Sequence, residues 1–184
     1  MGNNLGKWDR YYAGLDPDDP GAYIATETYP MGAEWLSDCD VVEDWGCGKG
    51  WFSHIAGPGL NIIGIDGSIT PFADKVVDLE TYRSSVEGIF MRHVAEHNFE
   101  YETILTNLVK SFTKRAFIVF FTPMSDGPSK ILDWPDGYDN IPDISIPRKW
   151  VEELLTSNGC LFTSETIPTA TMYGEETYYK VEKI

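Results

Sequence analysis

The chain has 184 residues, with 14 Lys and Arg against 29 Asp and Glu, a formal net charge of -15 and a pI near 4.4. That charge argues against a duplex-binding protein, which needs a basic face to displace counterions from phosphate. A hydrophobic content of 42% with 14% aromatics supplies a core and argues against an acidic disordered tail. The length suits one domain over residues 1–184. No apolar run in the sequence approaches the roughly 20 residues that span a bilayer, and the first six residues lack the basic and apolar regions of a secretory signal. Cys39, Cys47 and Cys160 are odd in number and have no metal-ligand spacing. An acidic, cytoplasmic protein without a metal is expected.

Residues 1–28 are polar and aromatic, carry Trp8, Tyr11 and Tyr12, and include the turn-forming Asp16-Pro17-Asp18-Asp19-Pro20. A helix follows over residues 29–36, with Pro30 at a first helical position and Met31, Trp35 and Leu36 on one face. Short apolar runs then fall at residues 40–44, 61–65, 75–79, 86–93 and 116–122. Residues 51–56 read as a helix. So do Ile104, Leu105, Leu108, Val109 and Phe112, and then Trp150, Val151, Leu154 and Leu155 before the cap at Asn158-Gly159. Runs at 160–167 and 177–184, joined through Gly174, form an antiparallel hairpin. Strands alternating with helices predict an α/β fold: one Rossmann-like, doubly wound sheet, mostly parallel, with helices on both faces. Residues 124–147 hold four prolines and little periodicity, and read as one long loop on the substrate side.

The most informative segment is Asp44-Trp45-Gly46-Cys47-Gly48-Lys49-Gly50, where a strand enters a glycine turn that a helix follows. Such a turn sits at the crevice where doubly wound sheets bind ligands, and glycine lets a ligand lie on bare backbone. A dinucleotide fingerprint would put its third glycine at position 51, which is Trp51, and no P-loop Gly-Lys-Ser/Thr is present. The carboxylate of Asp44 would repel a pyrophosphate and suits a ligand carrying an ammonium group. Asp66, twenty residues after Gly46, closes the second strand, where it can hold two ribose hydroxyls or cap the next segment. Asp78 and Leu79 end the third strand and can flank an adenine, although a turn aspartate is equally common there.

The stretches from Val42 to Gly50, Gly64-Ile65-Asp66 and His93-Val94-Ala95-Glu96-His97 resemble the class I S-adenosylmethionine-dependent methyltransferases, in the small-molecule branch. The segment Leu154 to Phe162 also resembles that family's penultimate helix-to-strand passage. The resemblance covers roughly residues 30–184. It implies a sheet of about seven strands whose last strand is inserted antiparallel, S-adenosylmethionine as cofactor, and methyl transfer. By position it implies that Asp44, Gly46, Cys47, Gly48 and Gly50 surround the methionine part, and that Asp66 and Gly67 hold the ribose. Asp78 and Leu79 would flank adenine, with Arg92 and His93 near the sulfonium. Only about ten residues separate Asp66 from the third strand, so the helix between them must be very short, over residues 71–74.

His93 and His97 are the candidate general bases, since imidazole titrates near neutrality. The Glu96-His97 pair can equally start the next helix and brace its loop. Substrate contacts are expected from Tyr11 and Tyr12 in the N-terminal segment, which can act as a lid, and from Trp134, Tyr138 and Arg148 in or beside the long loop. The expected acceptor is a small molecule or a sugar, with no nucleic-acid or membrane partner, on a monomer or homodimer. The alternatives are a non-catalytic module binding S-adenosylmethionine or S-adenosylhomocysteine, and a nicotinamide-dependent oxidoreductase.

Overall fold

The computed structural model, which describes residues 5–13, 27–133 and 141–184, alternates strands and helices along the chain. The order is α1 (Asp9–Tyr12), α2 (Thr28–Trp35), β1 (Val42–Trp45), α3 (Trp51–Ala56), β2 (Ile62–Asp66), β3 (Lys75–Val76) and β4 (Val86–Arg92). Then come α4 (Tyr101–Val109), β5 (Phe112–Phe120), β6 (Lys130–Asp133), β7 (Asp143–Ser145), α5 (Arg148–Ser157), β8 (Cys160–Pro168) and β9 (Glu175–Lys183). Residues 16–20, Trp134 and Tyr138 lie outside the described residues.

A seven-stranded sheet runs in the order β3-β2-β1-β4-β5-β9-β8. The pairs among β1 to β5 are parallel, and β9 runs antiparallel to both of its neighbours. Strand β5 shows why two helical layers are needed. Ala116, Ile118 and Phe120 face one side, Phe117 and Val119 face the other, and all five are buried. The period-2 alternation of a strand makes both faces apolar, and only helices on both sides can cover them. On one side Ile104, Leu105 and Leu108 of α4 pack with Val151 and Leu155 of α5. On the other, Tyr29 of α2 and Phe52 of α3 pack on Phe90 and Phe117, with the Phe52 and Phe90 rings stacked at 3.8 Å.

Three expectations are corrected. The run at 75–79 is strand only over Lys75–Val76. No helix forms between β2 and β3: the carbonyl of Gly64 accepts from the amide of Asp74, the Asp74 carboxylate accepts from the amide of Gly64, and Thr70 donates to the Gly48 carbonyl. Those bonds tie the segment back to the glycine turn, and a single turn bond, from the Ala73 amide to the Thr70 carbonyl, forms within it in place of a helix. The loop at 124–147 also holds a two-stranded antiparallel sheet of β6 and β7. Its prolines hid this, while Ile141, Ile144 and Ile146 bury their side chains and fix the segment against the domain.

Candidate functional site

In the parallel part of the sheet the register places Trp45 opposite both Ile65 and Met91. The next residues, Gly46, Asp66 and Arg92, therefore stand together at the carboxyl edge. Gly46, Gly48 and Gly50 have φ of +78°, +51° and +72°, a region that costs other residues strain. A Cβ on Gly46 would stand 2.2 Å from a methyl of Val94, and one on Gly50 would stand 2.5 Å from the Phe72 ring. Gly46 and Gly50 therefore have no room for a side chain, and Gly48 is kept bare by its φ.

Two carboxyls back this turn. Asp66 is 4% exposed; its oxygens accept from the amides of Gly48 at 2.9 Å and Ser68 at 2.8 Å. Burial pushes it up to about 6, against the pull of those amide bonds. Asp44, on β1, is 3% exposed, and burial followed by the charge of Asp66 pushes it up to about 8, against the pull of Arg92. Two buried acids side by side repel one another, and a cationic ligand would relieve both. Burial, followed by the charges of Asp44 and Asp66, also raises the Cys47 thiol, so it is a protonated filler in the turn.

Because β9 is reversed, its first residues return to this same edge, with Thr177 opposite Phe120. Glu176, fully buried, accepts from Arg92 Nη2 at 2.5 Å and from the Thr28 hydroxyl at 2.8 Å, and lies 2.7 Å from His93 Nε2. Arg92 also donates to the hydroxyls of Thr28 and Tyr29. Burial opposes ionisation of Glu176, but the His93 hydrogen bond and the Arg92 charge hold it down to about 2. An ionised Glu176 can only accept, so Nε2 of His93 carries the hydrogen. Burial lowers His93 to about 3 and keeps it neutral, with Arg92 and His97 acting the same way against the pull of Glu176. His93 adopts φ +57°, the only positive value outside glycine among the described residues.

His97 ends a short 3-10 turn, Ala95–His97. Its Nδ1 lies 3.2 Å from the Pro142 carbonyl and 3.1 Å from Asp143 Oδ1. Glu96 is buried and accepts from the amide of Phe121 through Oε1, which ties the turn to the end of β5. Both members of the pair brace the turn as expected, Glu96 against the end of β5 and His97 against the start of β7.

One cavity of about 260 Å³ collects these groups. Gly46, Cys47, Gly48, Asp66, Gly67, Leu79, Arg92, His93, His97, Tyr11 and Tyr12 line it. Asp44 lies behind the turn, and Gly50 faces Phe72; neither is in the lining. Asp78 accepts from the amide of Glu80 and closes the turn after β3. Arg148 opens α5 and bonds the hydroxyl of Tyr179, away from the cavity. The N-terminal segment crosses the cavity: the Gly6 amide donates to the Gly67 carbonyl, that of Trp8 to Ser68 Oγ, and the Asp9 carboxylate accepts from the Ile69 amide. The Tyr12 hydroxyl stands 3.0 Å from where a Cβ on Gly48 would be.

No family model and no curated protein matches the chain. Solved structures do. The 1,6-didemethyltoxoflavin-N1-methyltransferase of Burkholderia thailandensis, with 1,6-didemethyltoxoflavin and S-adenosylhomocysteine bound, aligns with a TM-score of 0.67 at 16% identity, over 85% of this chain and 76% of that one. The magnesium protoporphyrin IX methyltransferase of Synechocystis PCC 6803, with S-adenosylhomocysteine bound, aligns with a TM-score of 0.67 at 16% identity, over 97% and 93%. The [4+2]-cyclase SpnF aligns with a TM-score of 0.61 at 14% identity, over 84% and 79%. The fold is that of the class I methyltransferases.

In this class I methyltransferase fold, several cavity residues were not singled out from the sequence. Lys7 donates to Asn98 Oδ1 at 2.8 Å, and both line the cavity. Tyr29 enters from the start of α2, and Trp51 from the third-glycine position. Glu176 and Asp143 act from outside the lining, each on a cavity histidine. An acidic residue at the start of a strand otherwise rich in buried aromatics, Glu176 before Tyr178 and Tyr179, is the one signal that could have been followed.

Proposed function

We propose that the chain transfers a methyl group from S-adenosylmethionine to a small molecule or sugar. The observation that carries this is the pairing of a bare three-glycine turn with two buried, mutually repelling carboxyls, Asp44 and Asp66. A pyrophosphate would add negative charge beside both. An ammonium and a sulfonium would neutralise it, which suits the amino-acid end of S-adenosylmethionine and disfavours a nicotinamide dinucleotide. When bound, S-adenosylmethionine supplies an electrophilic methyl group. Gly46 and Gly48 give its methionine part backbone to lie on, Asp66 accepts from ribose hydroxyls, and Leu79 packs on the adenine. Arg92 and His93 face the acceptor side, while Tyr11, Tyr12 and Trp8 cover the mouth and exclude water.

With a net charge of -15, a polyanionic acceptor is repelled, so a small molecule fits better than a nucleic acid. Among the described residues no helix is long and apolar enough to cross a membrane. Three buried, free cysteines suit a reducing cytoplasm. Since one protein of this fold is a [4+2]-cyclase, the deciding assay follows the methyl group itself. The chain is incubated with methyl-labelled S-adenosylmethionine and a protein-free metabolite extract. Label should enter compounds of low molecular mass, and Asp66→Ala should slow this at donor concentrations that do not saturate the variant. Label that stays in the donor would contradict the proposal.

A further inference from the structure

We propose that His97 and Asp143 form the proton-accepting pair of the site, and that the group they serve is an acceptor hydroxyl. This rests on the methyl-transfer function above and narrows its acceptor class.

The geometry sets the tautomer. His97 Nδ1 lies 3.2 Å from the Pro142 carbonyl oxygen, which can only accept, and 3.1 Å from Asp143 Oδ1. Nδ1 therefore carries the hydrogen and Nε2 keeps its lone pair. The ring lines the cavity and lies edge-on to Trp8, with centroids 5.2 Å apart. Asp143 is 1% exposed; its Oδ2 accepts from the Tyr173 hydroxyl at 2.9 Å, and its Oδ1 makes no well-aligned hydrogen bond among the described residues. Neither Tyr173 nor Pro142 carries positive charge. A proton arriving at Nε2 thus creates an imidazolium beside a buried carboxylate whose only cationic partner, among the described residues, is that imidazolium.

His93 is built the other way. Its carboxylate partner, Glu176, already holds Arg92 at 2.5 Å. A proton on His93 would put a second cation on one carboxylate, with His97 close by. His93 therefore stays a neutral donor through Nε2, and its task is to hold Glu176 and the acceptor side in place. The groups facing His97 are Asp143 from β7, Glu96 from its own turn and His93 from the end of β4. Buried Glu96 has an Oε2 with no hydrogen-bond partner among the described residues, and burial pushes it up to about 7. It adds a second acidic group beside the imidazole.

An oriented base distinguishes acceptors. A neutral amine attacks without help and loses its proton afterwards, whereas a hydroxyl is a poor nucleophile until its proton is taken. As the acceptor oxygen bonds to the methyl carbon, the carbon–sulfur pair stays on sulfur and the hydroxyl proton moves to Nε2. Asp143 balances the imidazolium until the proton leaves to solvent. His97 touches the acceptor; Asp143 is a positioning residue.

The test is nitrogen-15 NMR of the histidine rings in the full chain, free and with S-adenosylhomocysteine, using phenol at millimolar concentration as the hydroxyl probe and toluene as its control. His97 should be the Nδ1–H tautomer and His93 the Nε2–H tautomer. Phenol, and not toluene, should shift the His97 Nε2 resonance in the complex. Asp143→Asn should move the His97 Nδ1–H resonance, which reads the loss of the carboxylate beside that proton, and should leave the His93 Nε2–H tautomer in place, a pattern that a merely structural role would not produce. An Nε2–H tautomer at His97, a His97 Nδ1–H resonance unmoved in D143N, or an Nε2 resonance blind to phenol would each overturn the proposal. If Asp143→Asn does not fold, the tautomers of the native chain still decide. If S-adenosylhomocysteine does not bind, the methyl-transfer function fails, while the tautomers of the free chain still judge the pair.

Discussion

Arg92 Nη2 and Glu176 Oε1 meet at 2.5 Å in the interior, although 84 residues separate them in the chain. Only the reversal of β9 allows this, because a parallel strand there would carry its first residue to the opposite edge. The bond joins the candidate site to the part of the sheet that closes last in sequence.

Removing one member of such a pair leaves the other charge buried and alone, which costs about 3–5 kcal/mol. Glu176→Ala should therefore lower the denaturant midpoint strongly, with Arg92, Thr28 and His93 losing their common anchor. The pH dependence follows in sign. Glu176 is held at about 2, below its ordinary 4.5. Its contribution to stability is present above about 4.5 and is lost as pH falls toward 2. Urea unfolding at pH 6 and at pH 3 should show a smaller acid loss in Glu176→Gln than in the native chain.

Asp44 gives the opposite sign. Its carboxyl is held at about 8, above the ordinary 3.8. Its contribution to stability is full below 3.8 and is lost as pH rises through about 8. A cationic ligand favours the ionised form, so binding should expel its proton. The affinity for S-adenosylhomocysteine should rise between about pH 6 and 8, by at most tenfold per unit, and then level. Calorimetry at pH 7 in buffers of different ionisation enthalpy should register proton release. Asp44→Asn should lose both the affinity and its pH slope.

The glycine turn has a steric test. Gly46→Ala combines φ +78° with a Cβ 2.2 Å from Val94. Backbone strain of about 1–3 kcal/mol adds to that clash. The variant should lose S-adenosylhomocysteine binding and unfold at lower denaturant. Adding Val94→Ala should restore part of the stability, since it removes the clash and leaves the strain.

The division between what the sequence revealed and what it hid is physical. Gly46, Gly48 and Asp66 were legible because a turn at a strand's carboxyl end restricts residue type locally. Both helical layers were legible from the 3.6-residue spacing of Ile104, Leu105 and Leu108, and of Val151 and Leu155. Glu176 and Asp143 were not, because each acquires its role from a histidine 83 or 46 residues earlier. The β6–β7 pair was hidden by prolines, and the helix expected at 71–74 was displaced by bonds to Gly64 and Gly48 that no local pattern encodes. Trp134 and Tyr138 lie outside the described residues.

The N-terminal segment yields a kinetic prediction. Trp8 donates its backbone amide to Ser68 and sets its ring against His97, while Tyr12 lies over Gly48. Changes within one binding site fall mostly on the dissociation rate. Trp8→Ala should raise the dissociation rate of S-adenosylhomocysteine several-fold and change its association rate little. Stopped-flow fluorescence of a displaced ligand reads both.

The central claim is that the bare turn, with Asp44 and Asp66 behind it, holds S-adenosylmethionine. Isothermal titration of the full chain with S-adenosylhomocysteine, with NAD as the control, tests it most directly. We predict binding of one equivalent in the micromolar range, weakened by about 1–3 kcal/mol in Asp66→Ala through loss of charge-assisted hydrogen bonds, and no binding of NAD. Heat from NAD with none from S-adenosylhomocysteine, or an Asp66→Ala affinity equal to that of the native chain, would contradict it.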